Sequence, residues 1–155
     1  MRNFNYFFGV LLSTLLFATH ATASEKNPDE KLVKDAYYQW CASIGKAHGD
    51  PKIVTQYYAH SAILLPTLSE KILINEHHGL DAYFKKLTSH QNIKCTPQKL
   101  ITRMYKETAI NTGLYKFSYT DHGKTLNIPA RFTFVYKNED GKWLIIKHHS
   151  SKLPK

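Results

Sequence analysis

The stretch that most constrains this chain runs from Gly123 to Pro154, GKTLNIPARFTFVYKNEDGKWLIIKHHSSKLP. Two runs of alternating apolar residues flank Asn138-Glu139-Asp140-Gly141, and alternation at period two marks strands with one buried face. Gly where a positive φ is wanted makes the middle a hairpin turn. A type I turn with a Gly bulge would set Asn138 opposite Lys142. Pairing outward then puts Phe132, Phe134, Tyr136, Leu144, Ile146 and His148 on one face. Arg131, Thr133, Val135, Trp143, Ile145, Lys147 and His149 share the other, with Arg131 opposite His149. A one-residue slip would exchange the faces. The hairpin is thus expected to be a wall of a core, with a candidate site at its far end.

The other end of the chain reads as an export signal. Arg2, an apolar run from Phe7 to Phe17 and Ala21-Thr22-Ala23 follow the secretory pattern, and the run is shorter than the roughly 20 residues of a membrane span. Cleavage after Ala23 would leave residues 24–155 as one domain with no further span, in the periplasm or outside the cell. An uncleaved anchor is the alternative. The whole chain has 21 Lys plus Arg against 12 Asp plus Glu; without Arg2 the balance is 20 against 12, or +8. The cations are scattered singly or in pairs, which suggests a solvated basic surface. No nucleic-acid partner is expected of an exported chain without a basic block. Cys41 and Cys95 would meet an oxidising compartment, so they are expected either to be bridged or to remain two thiols, one buried in a helix.

Between these ends the coarse pattern is helices first, strands after. Asn27 as cap, Pro28 and two acids start a helix over 29–48, whose stripe Leu32, Val33, Ala36, Tyr37, Trp40, Ile44 and Ala47 has helical spacing. Asp50-Pro51 opens a short second helix with Ile53, Val54 and Tyr57. Ser61 to Pro66 reads as a strand, 67–78 as a loop with an edge segment at 72–74, and a third helix follows Gly79. Strands are expected over 99–105, 109–120 and the hairpin. This is the α+β pattern, a curved antiparallel sheet wrapped on helices, a cone whose open end is a natural pocket.

IPARFTFVYKNEDGKWLIIKHHSSKLP, with YYAHSAILLPTLS upstream and INTGLYKFSYT between them, resembles the bacterial SnoaL-like proteins of the nuclear transport factor 2-like superfamily. It is most similar there to relatives of the calcium/calmodulin-dependent protein kinase II association domain. The resemblance implies a long helix across a curved sheet, a pocket between them, and homodimers or larger rings formed through the sheet's outer face. It carries no kinase activity, since there is no kinase domain. Pocket arginines of the eukaryotic domain would fall at Tyr115, Phe134 and Ser150, which implies a less cationic cavity here.

The candidate pocket set is Trp40, Tyr57, Tyr115, Phe132, Phe134, His148 and Ser150, with Trp40 and Tyr57 deep and Tyr37 nearer the mouth. Arg131, His149 and Ser151 form a polar cluster that serves either a pocket or a subunit interface. Adjacent strand residues face opposite ways, so His148 and His149 cannot share one site. His77-His78 beside Glu76 lack the spacing of a helical zinc site and read as a surface loop. No interior carboxylate, Ser-His-Asp arrangement or phosphate-cradling Gly loop is discernible, so no cofactor or metal is expected. The sequence therefore favours an exported module that binds an unidentified small molecule or oligomerises. The alternatives are an isomerase or hydratase using His148 with Tyr115 or Tyr57, and an anion- or lipid-binding surface protein resting on the charge alone.

Overall fold

The computed structural model describes residues 28–154 apart from residue 68; the proposed leader and the Asn27 cap lie outside the described residues. Three helices, α1 (Pro28–Lys46), α2 (Lys52–Thr55) and α3 (Asp81–Thr88), accompany six strands: β1 (Tyr58–Leu65), β2 (Leu73–Ile74), β3 (Gln91–Tyr105), β4 (Thr108–Asp121), β5 (Lys124–Glu139) and β6 (Lys142–Lys152). The strands form one open sheet in the order β2-β1-β6-β5-β4-β3. The architecture is the expected α+β cone. It departs from the expectation in one pairing, because β1 runs parallel to β6. Everything from β2 to β5 lies between those two strands in sequence, which supplies the long connection a parallel pair requires. No described helix is long and apolar enough to cross a membrane.

The helix α1 lies against the sheet because its apolar stripe meets the inward residues of β4 and β5. Val33, Tyr37, Trp40 and Ile44 are fully buried. A polar clamp fixes its position: Asn111 Nδ2 donates to the Val33 carbonyl at 3.1 Å, and Asn111 Oδ1 accepts from Thr102 Oγ1 at 2.7 Å. Both buried side chains are therefore paired, which removes the desolvation cost of an unsatisfied amide. Cys41 and Cys95 are disulfide-bonded with Cα atoms 5.3 Å apart, tying α1 to β3.

The β5–β6 turn is tighter than expected. Glu139 pairs with Lys142, so the loop is Asp140-Gly141 alone, with φ of 51° and 83°. These are the positive values of a primed two-residue hairpin turn, and the Asn138 side chain accepts the Gly141 N–H at 2.9 Å. Near the turn the faces are consequently exchanged: Trp143 and Ile145 are buried, while Leu144 and Ile146 are only partly so. A bulge then intervenes, because Tyr136 pairs with Ile145 but Val135 with Lys147, leaving Ile146 as the extra residue. Beyond the bulge the original parity returns. Phe132 lies opposite Ser150, Phe134 opposite His148, and Arg131 opposite Ser151 rather than His149.

β3 starts at Gln91, eight residues before the expected 99. Pro97 obscured it, since proline removes a ladder donor; the strand tolerates it because β3 is the sheet's edge.

Candidate ligand cavity

The inward side chains of β4, β5 and β6 form an aromatic ladder under α1. Tyr37 stacks on Phe132 with ring centres 4.9 Å apart, and Phe132 stacks on Tyr115 at the same spacing. Trp40 meets Phe134 edge-on at 4.8 Å and His148 at 5.3 Å. Six of the seven residues singled out for the pocket, Trp40, Tyr115, Phe132, Phe134, His148 and Ser150, lie together in this interior, and all are buried. They pack on one another as a core. Tyr57 is elsewhere: β1 begins at Tyr58, so Tyr58 turns inward and the half-buried Tyr57 borders an outer groove with Trp143 and Leu144. Tyr37, expected nearer a mouth, is fully enclosed.

Two polar threads run through the core. In the first, Tyr58 Oη and His148 Nδ1 are 2.8 Å apart, while buried His148 Nε2 has no hydrogen-bond partner among the described residues. Burial, with a smaller contribution from the neighbouring His149, pushes the His148 pKa well below the usual imidazole range. Burial likewise raises that of Tyr58. Both groups are neutral at pH 7, so Tyr58 can donate to Nδ1 while Nε2 carries the imidazole proton. In the second thread, Tyr115 Oη donates to Ser150 Oγ at 2.6 Å, and Ser150 Oγ also hydrogen-bonds Thr67 Oγ1. Among the described residues the wholly buried polar or charged residues are Ser43, Thr88, Thr102, Asn111, His148 and Ser150; no aspartate or glutamate is among them, although Asp81 Oδ1 is enclosed at the start of α3 without a hydrogen-bond partner.

Thr67 carries the second thread to a cavity of about 530 Å³ at the open end of the cone. One wall is α3, through Tyr83, Lys86 and Leu87; a second is made by Thr67, Ser69, Lys71 and Leu73; the third is Tyr119 of β4 and Ile128 of β5. His90, just after α3, stacks on Tyr119 with centroids 4.2 Å apart. The i, i+4 spacing of Tyr83 and Leu87 sets both on the helical face turned to the sheet. Burial pushes the Tyr83 hydroxyl up to about 12, so it enters the site as a neutral donor. Exposed Lys71 and Lys86 stand at the rim, and no lining residue is acidic. Such a site offers flat apolar walls, hydroxyls and a cationic rim.

Sequence reading did not reach this cavity. Its lining falls within elements already expected, Thr67 and Lys71 in the 67–78 loop, Tyr83 and Lys86 in the third helix with His90 just after it, and Tyr119 in the 109–120 strand, but only the fold joins them. The Arg131, His149 and Ser151 cluster is on the opposite, outer face of the sheet, where Arg131 Nε donates to Ser151 Oγ at 2.9 Å. His77 and His78 lie exposed in a 3₁₀ turn over Glu76–His78. They border a surface hollow with His60, and among the described residues no three His, Cys, Asp or Glu side chains are grouped to hold a metal.

Comparison with known proteins agrees with this architecture. A family model described as the calcium/calmodulin-dependent protein kinase II association domain matches residues 30–154. A Xanthomonas campestris structure described as such an association domain is 34% identical, with a TM-score of 0.71, over 79% of this chain and 86% of that one. A Streptomyces avermitilis structure, described as a dehydratase of the NTF2-like family, has a TM-score of 0.71 at 14% identity, covering 83% of this chain and all of the other (100%). The CaMKII hub homology domain of Chlamydomonas reinhardtii gives 0.65 at 15% identity, over 83% and 100% of the two chains. The last two likenesses speak to fold alone. No curated protein matches the chain.

Proposed function

Because this chain belongs to the calcium/calmodulin-dependent protein kinase II association-domain family, we propose that it is an exported, non-catalytic module that self-associates through the outer face of its sheet and holds a small molecule at the open end of its cone. The observation that carries the ligand half is the cavity beside Thr67, Tyr83 and Tyr119, with its lysine rim and acid-free lining. The lining favours a small anion with a flat apolar body: Tyr83, Leu87, Tyr119 and Ile128 cover the body, and Lys71 and Lys86 attract the charge. The assembly half is supported by membership of the family and by the likeness to a hub domain. Export rests on the leader-like pattern over 1–23.

An isomerase or hydratase built on His148 has less in its favour. A proton shuttle must reach its substrate, and His148 is 3% exposed, behind Trp40 and Phe134. A His148→Ala variant that lost turnover of an identified substrate, while still folded, would restore that reading.

The ligand half is tested by thermal shift against a panel of small organic monoanions with apolar bodies. Members that fit raise the melting temperature of the native protein, and Lys71→Glu with Lys86→Glu cancels the rise without changing the unliganded melt. A panel that shifts neither protein, or both equally, contradicts this assignment of the site.

A further inference from the structure

The cations that look scattered in the sequence are gathered by the strands. Outward positions recur every second residue, and the register aligns them into rows across the sheet. One row is Arg103, Ile110, Val135 and Lys147; the next is Ile101, Thr112, Thr133 and His149; the third is Lys99, Leu114, Arg131 and Ser151. Ile63 and Leu65 of β1 extend the first two, beside Lys147 and His149. The face thus has an apolar middle, with Ile101, Ile110, Leu114 and Val135, set among Lys99, Arg103, Arg131 and Lys147. These three rows contain no carboxylate. Acids stand at the rim: Glu139 in the last pair before the β5–β6 turn, Glu107 in the β3–β4 turn, and exposed Glu70 across a hollow from His149 and Lys152.

Five strands spaced about 4.8 Å apart, each showing some eight residues at about 3.4 Å, present a face of roughly 24 by 27 Å. That is near the scale of a standard interface, about 800 Å² per partner. An isologous dimer lays the same patch on itself, so when two such faces meet about a two-fold axis the apolar middles coincide and the flanking cations of one copy come against those of the other. Like charges juxtaposed across an interface oppose association, while the apolar strip favours it. Arg131 shows how the conflict can be resolved. Its Nε is held by Ser151 at 2.9 Å, and its two terminal nitrogens have no hydrogen bond to a described residue, leaving a planar fork suited to an oxyanion.

We propose that two copies of this chain pair through the outer sheet face when multivalent oxyanions of the sulfate or phosphate type sit between the two sets of cations. The proposal rests on the assembly reading above and adds its regulation: the anion is a third component of the interface. By linkage, an anion bound better by the pair than by the single copy drives pairing, and pairing tightens anion binding to the same degree.

Sedimentation velocity of the purified protein, in sodium chloride and in sodium sulfate at equal ionic strength, separates this from general screening. The association constant is expected to rise on the order of tenfold in sulfate, within the usual range of such couplings. In a variant with Arg131→Gln and Lys99→Gln, both exposed positions, association in chloride should approach the native value in sulfate and lose its anion dependence. Equal association of the native protein in both salts overturns the anion requirement but leaves the assembly reading intact. A monomer in both salts at every concentration overturns both. Sulfate dependence that persists undiminished in the variant overturns the assignment to this face.

Discussion

His148 sets the pH behaviour of the core. In an unfolded chain its imidazole would protonate near pH 6.5, whereas burial among Trp40, Tyr58 and Phe134 keeps it neutral to a lower pH. Below about pH 6.5 the unfolded state therefore binds more protons than the native one, and stability falls as pH falls, by up to about 1.4 kcal/mol per pH unit from this residue. It is fully present above that pH. Urea unfolding between pH 7.5 and 5 should show this slope, reduced in a His148→Asn variant; a flat profile would contradict it. Tyr115 has a smaller role, because Ser150 keeps its bond to Thr67 when the phenol is lost. Tyr115→Phe is expected to cost about 1 kcal/mol. Gly113 is less forgiving. A Cβ there would stand 1.8 Å from the Lys99 carbonyl oxygen, a backbone atom, so Gly113→Ala should destabilise by about 3 kcal/mol in the same assay.

Among the elements, the Cys41–Cys95 bridge and the β5–β6 hairpin carry most of the consequences. The bridge closes a loop of 54 residues between α1 and β3, a length for which the chain-entropy account gives about 4 kcal/mol. Reduction should lower the unfolding free energy by that order, and identical denaturation curves with and without reductant would be inconsistent with it. The hairpin shows what was legible in the sequence and what was not. Alternation correctly placed Phe132, Phe134, Tyr136 and His148 on the inner face, because a buried face leaves its period in the residue pattern. The turn register and the Ile146 bulge leave no such trace, so Trp143 and Ile145 were placed outward and Arg131 was set against the wrong residue. Position mattered as much as composition at Tyr57 and Tyr58, adjacent tyrosines that end on different surfaces because the strand begins between them.

At the scale of the whole molecule, the cone was readable because helices precede strands, and its resemblance to a known family covers nearly the full domain. The cavity was not readable, since its walls come from α3, from Thr67, Ser69, Lys71 and Leu73, and from the far ends of β4 and β5. The same holds for the outer face, where single lysines and arginines come to surround one apolar strip only after pairing. Among the described residues no aspartate or glutamate belongs to the buried core, whose one histidine is held neutral, while the charge available to recognise a partner or ligand stands on the rim and the outer face. That division is the ground of the binding and assembly role proposed above. Native mass spectrometry of the protein as purified tests it most directly, since one spectrum reports both subunit number and retained small molecules. The account predicts dimers or larger rings carrying a non-covalent adduct that is lost on unfolding; bare monomers at every protein concentration would contradict it.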